Sequence, residues 1–178
     1  MGDRRRVGRT RARTPRTAGA AERPIRIAVC GAGNGDARLL RLAEQVGEEI
    51  ARSGAAIVCG GLGGVMEAAA RGAQVHGGTT IGVLPGDDAA AANPWISLPL
   101  PTGMGEARNA LVVRFADAAI AVGGEWGTLS EIALAAKMGV PIVLLAPTLA
   151  DGLALETADT AEDAVRRALR HARRRRAS

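Results

Sequence analysis

Gly123-Gly124-Glu125-Trp126-Gly127-Thr128-Leu129-Ser130-Glu131 is the stretch whose reading decides the fold. An apolar run, Ala118-Ala119-Ile120-Ala121-Val122, precedes it, and Leu129, Ile132, Ala133 and Ala136 follow at helical spacing. That order is strand, glycine turn, helix. The glycines let backbone N–H groups approach a ligand, and the helix that starts there aims the positive end of its dipole at the same point, so a phosphate fits. Glu131 lies three residues after Thr128. Two readings of that pair stand side by side. As a capping box, Thr128 bonds the amide three residues on and Glu131 reaches back, with no ligand involved; as a site, Glu131 is a carboxylate with a chemical task.

A second turn of the same construction favours the site. Ala55-Ala56-Ile57-Val58-Cys59 reads as a strand, and Gly60-Gly61-Leu62-Gly63-Gly64 leads from it into an Ala-rich helix over Val65–Gln74 that carries Met66. Near the start of the domain, the strand 24–30 runs into Gly31-Ala32-Gly33-Asn34-Gly35-Asp36, a dinucleotide fingerprint with Asp36 in place of its third glycine. An amphipathic helix follows over 37–53. Further strands are expected over 79–84, 95–100, 117–122 and 141–145, with helices carrying Leu111, Val112 and Phe115, running to Met138, and spanning 161–170. Strands separated by helices predict an α/β, Rossmann-like, doubly wound parallel sheet of six or seven strands covered on both faces. Arg108 falls in the first turn or two of a helix, near the strand ends where ligands collect in such sheets. Its guanidinium can fork onto a phosphate or carboxylate, or pair with Glu106 or Asp117 on a solvated face.

The 178 residues are enough for one domain with a substantial core. The formal charge of +5 belongs to the ends: residues 1–24 hold eight Arg against two acids, and 166–178 hold seven Arg and no acid. Between them, 25–165 carries seven Arg and Lys137 against sixteen acids, a net of −8. Residues 1–24 are expected to be a disordered Arg-rich tail, 25–171 the nucleotide-binding domain, and 172–178 a second Arg-rich tail. With one Phe, two Trp and no Tyr, the chain lacks the repeated aromatic faces that single-stranded nucleic acid stacks on, and only the tails favour DNA. Cys30 and Cys59 have neither CxxC spacing nor nearby histidines, so they read as buried reduced thiols of a cytosolic protein rather than metal ligands. No apolar run approaches the length of a membrane span.

The segments CGGLGGVMEAAARGA (59–73), GEARNALVVRFADAAIAVGGEWGTLSEIALAAKMGVPIVLL (105–145) and the ANPWISLPLPTG join resemble the LONELY GUY superfamily. The resemblance covers residues 25–146. Its nearest branch holds small bacterial Rossmann-like proteins related to molybdenum cofactor carrier proteins and to the nucleotide-binding domain of DNA-processing proteins. It implies a homodimer that hydrolyses the N-glycosidic bond of nucleoside 5′-monophosphates to free base and ribose 5-phosphate, with no metal and no cofactor. Arg108 matches the superfamily's catalytic arginine, and Glu131 the last residue of its PGGxGTxxE motif. Gly124, Gly127 and Thr128 match its phosphate loop; Gly31, Gly33, Gly60, Gly61, Gly63, Gly64, Met66, Asn109 and Gly123 complete the candidate nucleotide contacts. The chain departs from the motifs at Gly123 (for Pro), Glu125 (for Gly), Asn109 (for Lys) and Glu67 (for Gly). The lost Lys and the gained Glu125 make the site less cationic by about two charges, which weakens anion binding unless Glu125 points away. In the alternative reading the same glycine turns hold the phosphate of a nucleotide or of the molybdenum cofactor, a phosphorylated pterin, in a non-catalytic binder or carrier, and Glu131 is only the capping glutamate. The apolar surfaces around Ile132–Met138 and Leu111–Phe115 ask for a partner, and a two-fold pairing of the chain with itself is expected to supply it.

Overall fold

The computed structural model describes residues 23–150 and 152–177; of the expected N-terminal tail, residues 1–22 lie outside them. Seven strands, β1 (Arg26–Gly31), β2 (Ala56–Cys59), β3 (Thr80–Leu84), β4 (Leu98–Pro101), β5 (Ala118–Val122), β6 (Ile142–Leu145) and β7 (Glu156–Ala158), form one sheet in the order β4-β3-β2-β1-β5-β6-β7. Every pairing is parallel. The chain departs from β1 toward one edge and returns beside it as β5. This makes the β1/β5 gap the switch point of the doubly wound sheet, with Cys30 in register with Ala121 and Gly31 with Val122.

Alternation along the strands sorts the core into two layers. Ile27, Val29, Ile57, Ile120 and Val122 pack with helices α1 (Ala37–Arg52), α2 (Val65–Val75) and α5 (Ala161–Ala177). Ala28, Cys30, Val58, Ala119 and Ala121 pack on the other face with α3 (Asn109–Phe115) and α4 (Trp126–Met138). Of the helices expected to pair two copies, Val112, Val113, Ile132 and Ala135 are buried within the chain, while Phe115 is exposed. α1 and α2 touch through two glycines. A Cβ built on Gly47 would lie 1.9 Å from the Ala69 carbonyl oxygen, and one on Gly72 would lie 2.0 Å from the Glu44 carbonyl oxygen. Arg71 seals the crossing with a two-pronged pair to Glu44 at 2.9 and 3.0 Å.

Most elements fall within a residue or two of expectation; three differences have physical causes. The strand expected over 95–100 starts at Leu98. Asn93 Oδ1 accepts from Trp95 N at 3.0 Å, and Thr80 Oγ1 donates to the Trp95 carbonyl at 2.6 Å, so side chains hold this segment in a turn. β7, which was not singled out, is a three-residue edge strand whose Glu156 takes bonds from Arg167 and Arg170 of α5. The helix expected to end at residue 170 continues to Ala177, so residues 172–177 of the expected Arg-rich tail are helical.

Contacts at the far pole hold that extension. Arg175 donates to the Ala116 carbonyl at 2.9 Å, and Arg176 donates to the carbonyls of Arg23 and Pro24 and to Asp117 Oδ2 at 2.7 Å. Asp117 also accepts from the Arg26 amide at 2.8 Å and from the Arg23 guanidinium. Burial alone raises the Asp117 carboxyl, but the bonds from Arg176, Arg26 and Arg23 outweigh it and bring it down to about 2.

Candidate functional site

Three strand-to-helix turns converge at the C-terminal ends of β1, β2 and β5. In the first, Asp36, where the fingerprint lacks its third glycine, caps α1 by accepting from Leu39 N at 2.7 Å. In the second, Val65 N donates to the Ala32 carbonyl at 3.0 Å, which presses the β2–α2 turn against the β1–α1 loop. Gly60 makes room in this turn for a guanidinium: a Cβ there would sit 2.1 Å from Arg108 Nη1 and 2.7 Å from Met66 Sδ. No residue but glycine allows that approach. In the third turn Gly123 takes φ +65°, the left-handed region, to reverse the chain between β5 and α4.

The turns enclose a cleft of about 140 Å³ lined by Gly31, Gly33, Met66, Arg108, Asn109, Gly127, Thr128 and Glu131, all expected, together with Ala32, Glu106 and Glu125. Of the other candidates, Gly60 backs Arg108, and Gly124 lines a larger neighbouring depression with Arg38, Leu39 and Thr148. Gly61, Gly63, Gly64 and Gly123 shape the turns behind the walls and do not line the cleft. Glu67, a departure that would have placed a charge there, is not among the lining residues either. Ala146, at φ +49°, is the one non-glycine residue at positive φ among those described, and it lines the neighbouring depression. Backbone held in that region costs energy and gathers at ligand sites.

The capping box does not form. α4 begins at Trp126 with Glu125 as its N-cap and no side-chain capping bond, so Thr128 stands three positions into the helix and Glu131 six. The first helical bond runs from Leu129 N to the Glu125 carbonyl at 2.9 Å, leaving the amides before it without intrahelical acceptors. Thr128 is 2% exposed, and among the described residues its hydroxyl has no partner. Arg108 is 5% exposed and its Nε also has none. Asp117, offered above as one possible mate for Arg108, is engaged at the opposite pole.

Glu131 is buried on α4, over the sheet face that carries Cys30. Desolvation drives the Glu131 carboxyl up; the Arg108 charge and the neighbouring Cys30 thiol pull it down only in part, Glu106 adds to the rise, and the result is about 7. Burial and the nearby Glu131 push the Cys30 thiol well up, which keeps it neutral. Cys30 was read only as a core thiol; its register opposite Ala121, three residues before the Gly124 turn, is the signal that places it under the site. Asn109 donates to Ser130 Oγ at 3.3 Å, and Ser130 donates to the Gly127 carbonyl at 2.7 Å, which ties the Arg108 helix to the α4 turn. Among the described residues, no three His, Cys, Asp or Glu side chains gather so that they could hold a metal ion, and no helix is long and apolar enough to cross a membrane.

A cleft built from glycine turns at the switch point of a parallel sheet is a Rossmann-like arrangement. The family model described as the SLOG cluster4 family matches residues 24–174, and the chain belongs to that family. It is 45% identical over 123 residues, 69% of this chain and 81% of the other, to an uncharacterized protein of Archaeoglobus fulgidus. Its structure is similar to that of the molybdenum cofactor binding protein of Rippkaea orientalis, with 34% identity, 82% of this chain and 96% of that one covered, and a TM-score of 0.77. It is also similar to the molybdenum cofactor carrier protein of Chlamydomonas reinhardtii, with 32% identity, coverage of 84% and 98%, and a TM-score of 0.76.

Proposed function

We propose that the protein binds a phosphorylated small molecule at this cleft, and that the ligand is a phosphorylated pterin of the molybdenum cofactor class, held rather than converted. The observation that carries the reading is the buried Thr128 hydroxyl without a partner, at a helix start whose amides are uncapped. A phosphate there satisfies the amides, the hydroxyl and the Arg108 Nε together. Relatives at 34 and 32% identity that bind or carry the molybdenum cofactor support the pterin end of the ligand. Glu106 and Glu125 weaken the cleft's attraction for anions, which suits a carrier that must release its cargo. Mass spectrometry of material copurifying with the protein is expected to show a phosphorylated pterin. In titrations, Arg108→Ala is expected to weaken binding of a phosphorylated pterin roughly 10- to 100-fold. Undiminished affinity in that variant would remove Arg108 from the site.

A second reading, hydrolysis of a nucleoside 5′-monophosphate, is favoured by one observation: a carboxyl at about 7 in the same cleft as an arginine. In that reaction water adds to C1′ as the C1′–N bond breaks, the base leaves with the electron pair and takes a proton, and Glu131 steadies the positive charge on the ribose and accepts the proton from water. Release of free base from AMP, GMP or CMP that Glu131→Gln abolishes would establish it. The proposal includes a homodimer paired through the α3 and α4 side, where Phe115 is exposed and Leu111, Leu134 and Met138 are only partly covered. Light scattering is expected to give twice 18.2 kDa, and a monomeric mass rejects the pairing.

A further inference from the structure

Trp126 is the first residue of α4 and is 77% exposed, in a chain that has two Trp, one Phe and no Tyr. Among the described residues nothing hydrogen-bonds its indole N–H. Phe115 serves elsewhere, 5.6 Å under the Arg26 guanidinium. Leaving the largest side chain of a nearly aromatic-free protein in water gains nothing for the fold.

Its position matches a ligand's second half. Trp126 lines an open depression with Gly124, Thr148 and Leu149, itself 48% exposed, and this depression meets the phosphate cleft at Glu125 and Gly127. At Gly127 a Cβ would meet nothing within 4 Å, so bare backbone separates the indole from Thr128, whose buried hydroxyl without a partner marks the phosphate end. We propose that Trp126 is the stacking platform for the planar heterocycle of the bound molecule, which is therefore a phosphorylated pterin or purine rather than a simple sugar phosphate; this rests on the phosphate-binding reading above. An indole face stacks any flat π-system, while the phosphate contacts fix which way the molecule lies.

The test is calorimetric titration with neopterin monophosphate, GMP and ribose 5-phosphate. Trp126→Ala is expected to weaken both ring-bearing ligands about 10-fold and leave ribose 5-phosphate within 2-fold, and Trp126→Phe to recover most of the loss. In Trp95→Phe, which leaves Trp126 as the sole tryptophan, the ring-bearing ligands are expected to quench the indole fluorescence and ribose 5-phosphate to leave it unchanged. Equal affinities in wild type and Trp126→Ala would overturn the assignment while leaving the phosphate site standing. A loss in Trp126→Ala that is as large for ribose 5-phosphate would also overturn it, since damage to the helix start would then be the cause. No binding of any of the three by wild-type protein would overturn both readings.

Discussion

Gly47→Ala is expected to destabilise the protein by about 3 kcal/mol or more, read as a shift in the urea midpoint. The sign is not obvious from propensity, because alanine favours a helix interior by about 1 kcal/mol over glycine. Packing decides it. The new methyl would stand 1.9 Å from the Ala69 carbonyl oxygen and 2.8 Å from its carbon, and both are backbone of a neighbouring helix that cannot rotate away. α1 and α2 must separate, loosening Val46, Ile50, Ala69 and Ala73, all of which are buried. Gly72→Ala meets the Glu44 carbonyl from the other side at 2.0 Å and should cost a comparable amount, with the double variant less than additive because the two clashes share one crossing. Gly86→Ala, where a Cβ would touch nothing, is the control and should stay within about 0.5 kcal/mol of wild type. A Gly47→Ala protein as stable as the control would mean that the helices do not cross at this distance.

Glu131→Gln is expected to change how stability depends on pH. With its folded value raised from 4.5 to about 7, Glu131 keeps its proton in the native state over a range where the unfolded chain has lost it. Below pH 4.5 both states are protonated and the side chain is neutral to the balance. As pH climbs from there to 7 the unfolded state gains by ionising, so stability falls, by about 3 kcal/mol at most, and stays at the lower level above pH 7. Gln cannot ionise, so the variant should lack this decline and be about 1–3 kcal/mol more stable than wild type at pH 8. Urea midpoints for both proteins from pH 4.5 to 8 provide the check, and parallel curves would show that Glu131 titrates as an ordinary surface carboxyl.

The β5–α4 glycine turn was legible because its requirement is local: Gly123 at φ +65° and Gly124 at φ +146° take backbone conformations that favour glycine, and such positions mark themselves in a sequence. Asp36 was legible as a departure but not as a cap, since its role depends on where α1 begins. The Thr128-x-x-Glu131 spacing left two readings open for the same reason; it looks identical whether the helix starts at residue 126 or at 129, and only the start tells a cap from a site. Arg108 could be placed near the strand ends, but its burial against Gly60 joins two segments 48 residues apart, which periodicity cannot see. The nearness of Cys30 to Glu131 joins residues a hundred positions apart and depends on the β1/β5 register together with the packing of α4 on that face. β7 is too short for an alternation pattern, and α5 outran its apolar stripe because arginines at its end find acceptors at the sheet's far pole.

The Asp117 junction has a mechanical consequence. It gathers Arg23, the Arg26 amide and Arg176 at the N-terminal ends of the two central strands, the pole opposite the cleft, so the first and last described segments leave the domain side by side. Tension applied between them would reach Asp117 before any strand pairing bears load, and the buried carboxylate would give way one bond at a time, like a zip, instead of in shear. A short bridge across the two segments, with new ends opened at an exposed loop such as the one around Gly77, which leads into the N-terminal end of β3, would yield a circular permutant that keeps the sheet order and leaves the binding pole untouched. Surface attachment through either segment would likewise present the cleft outward.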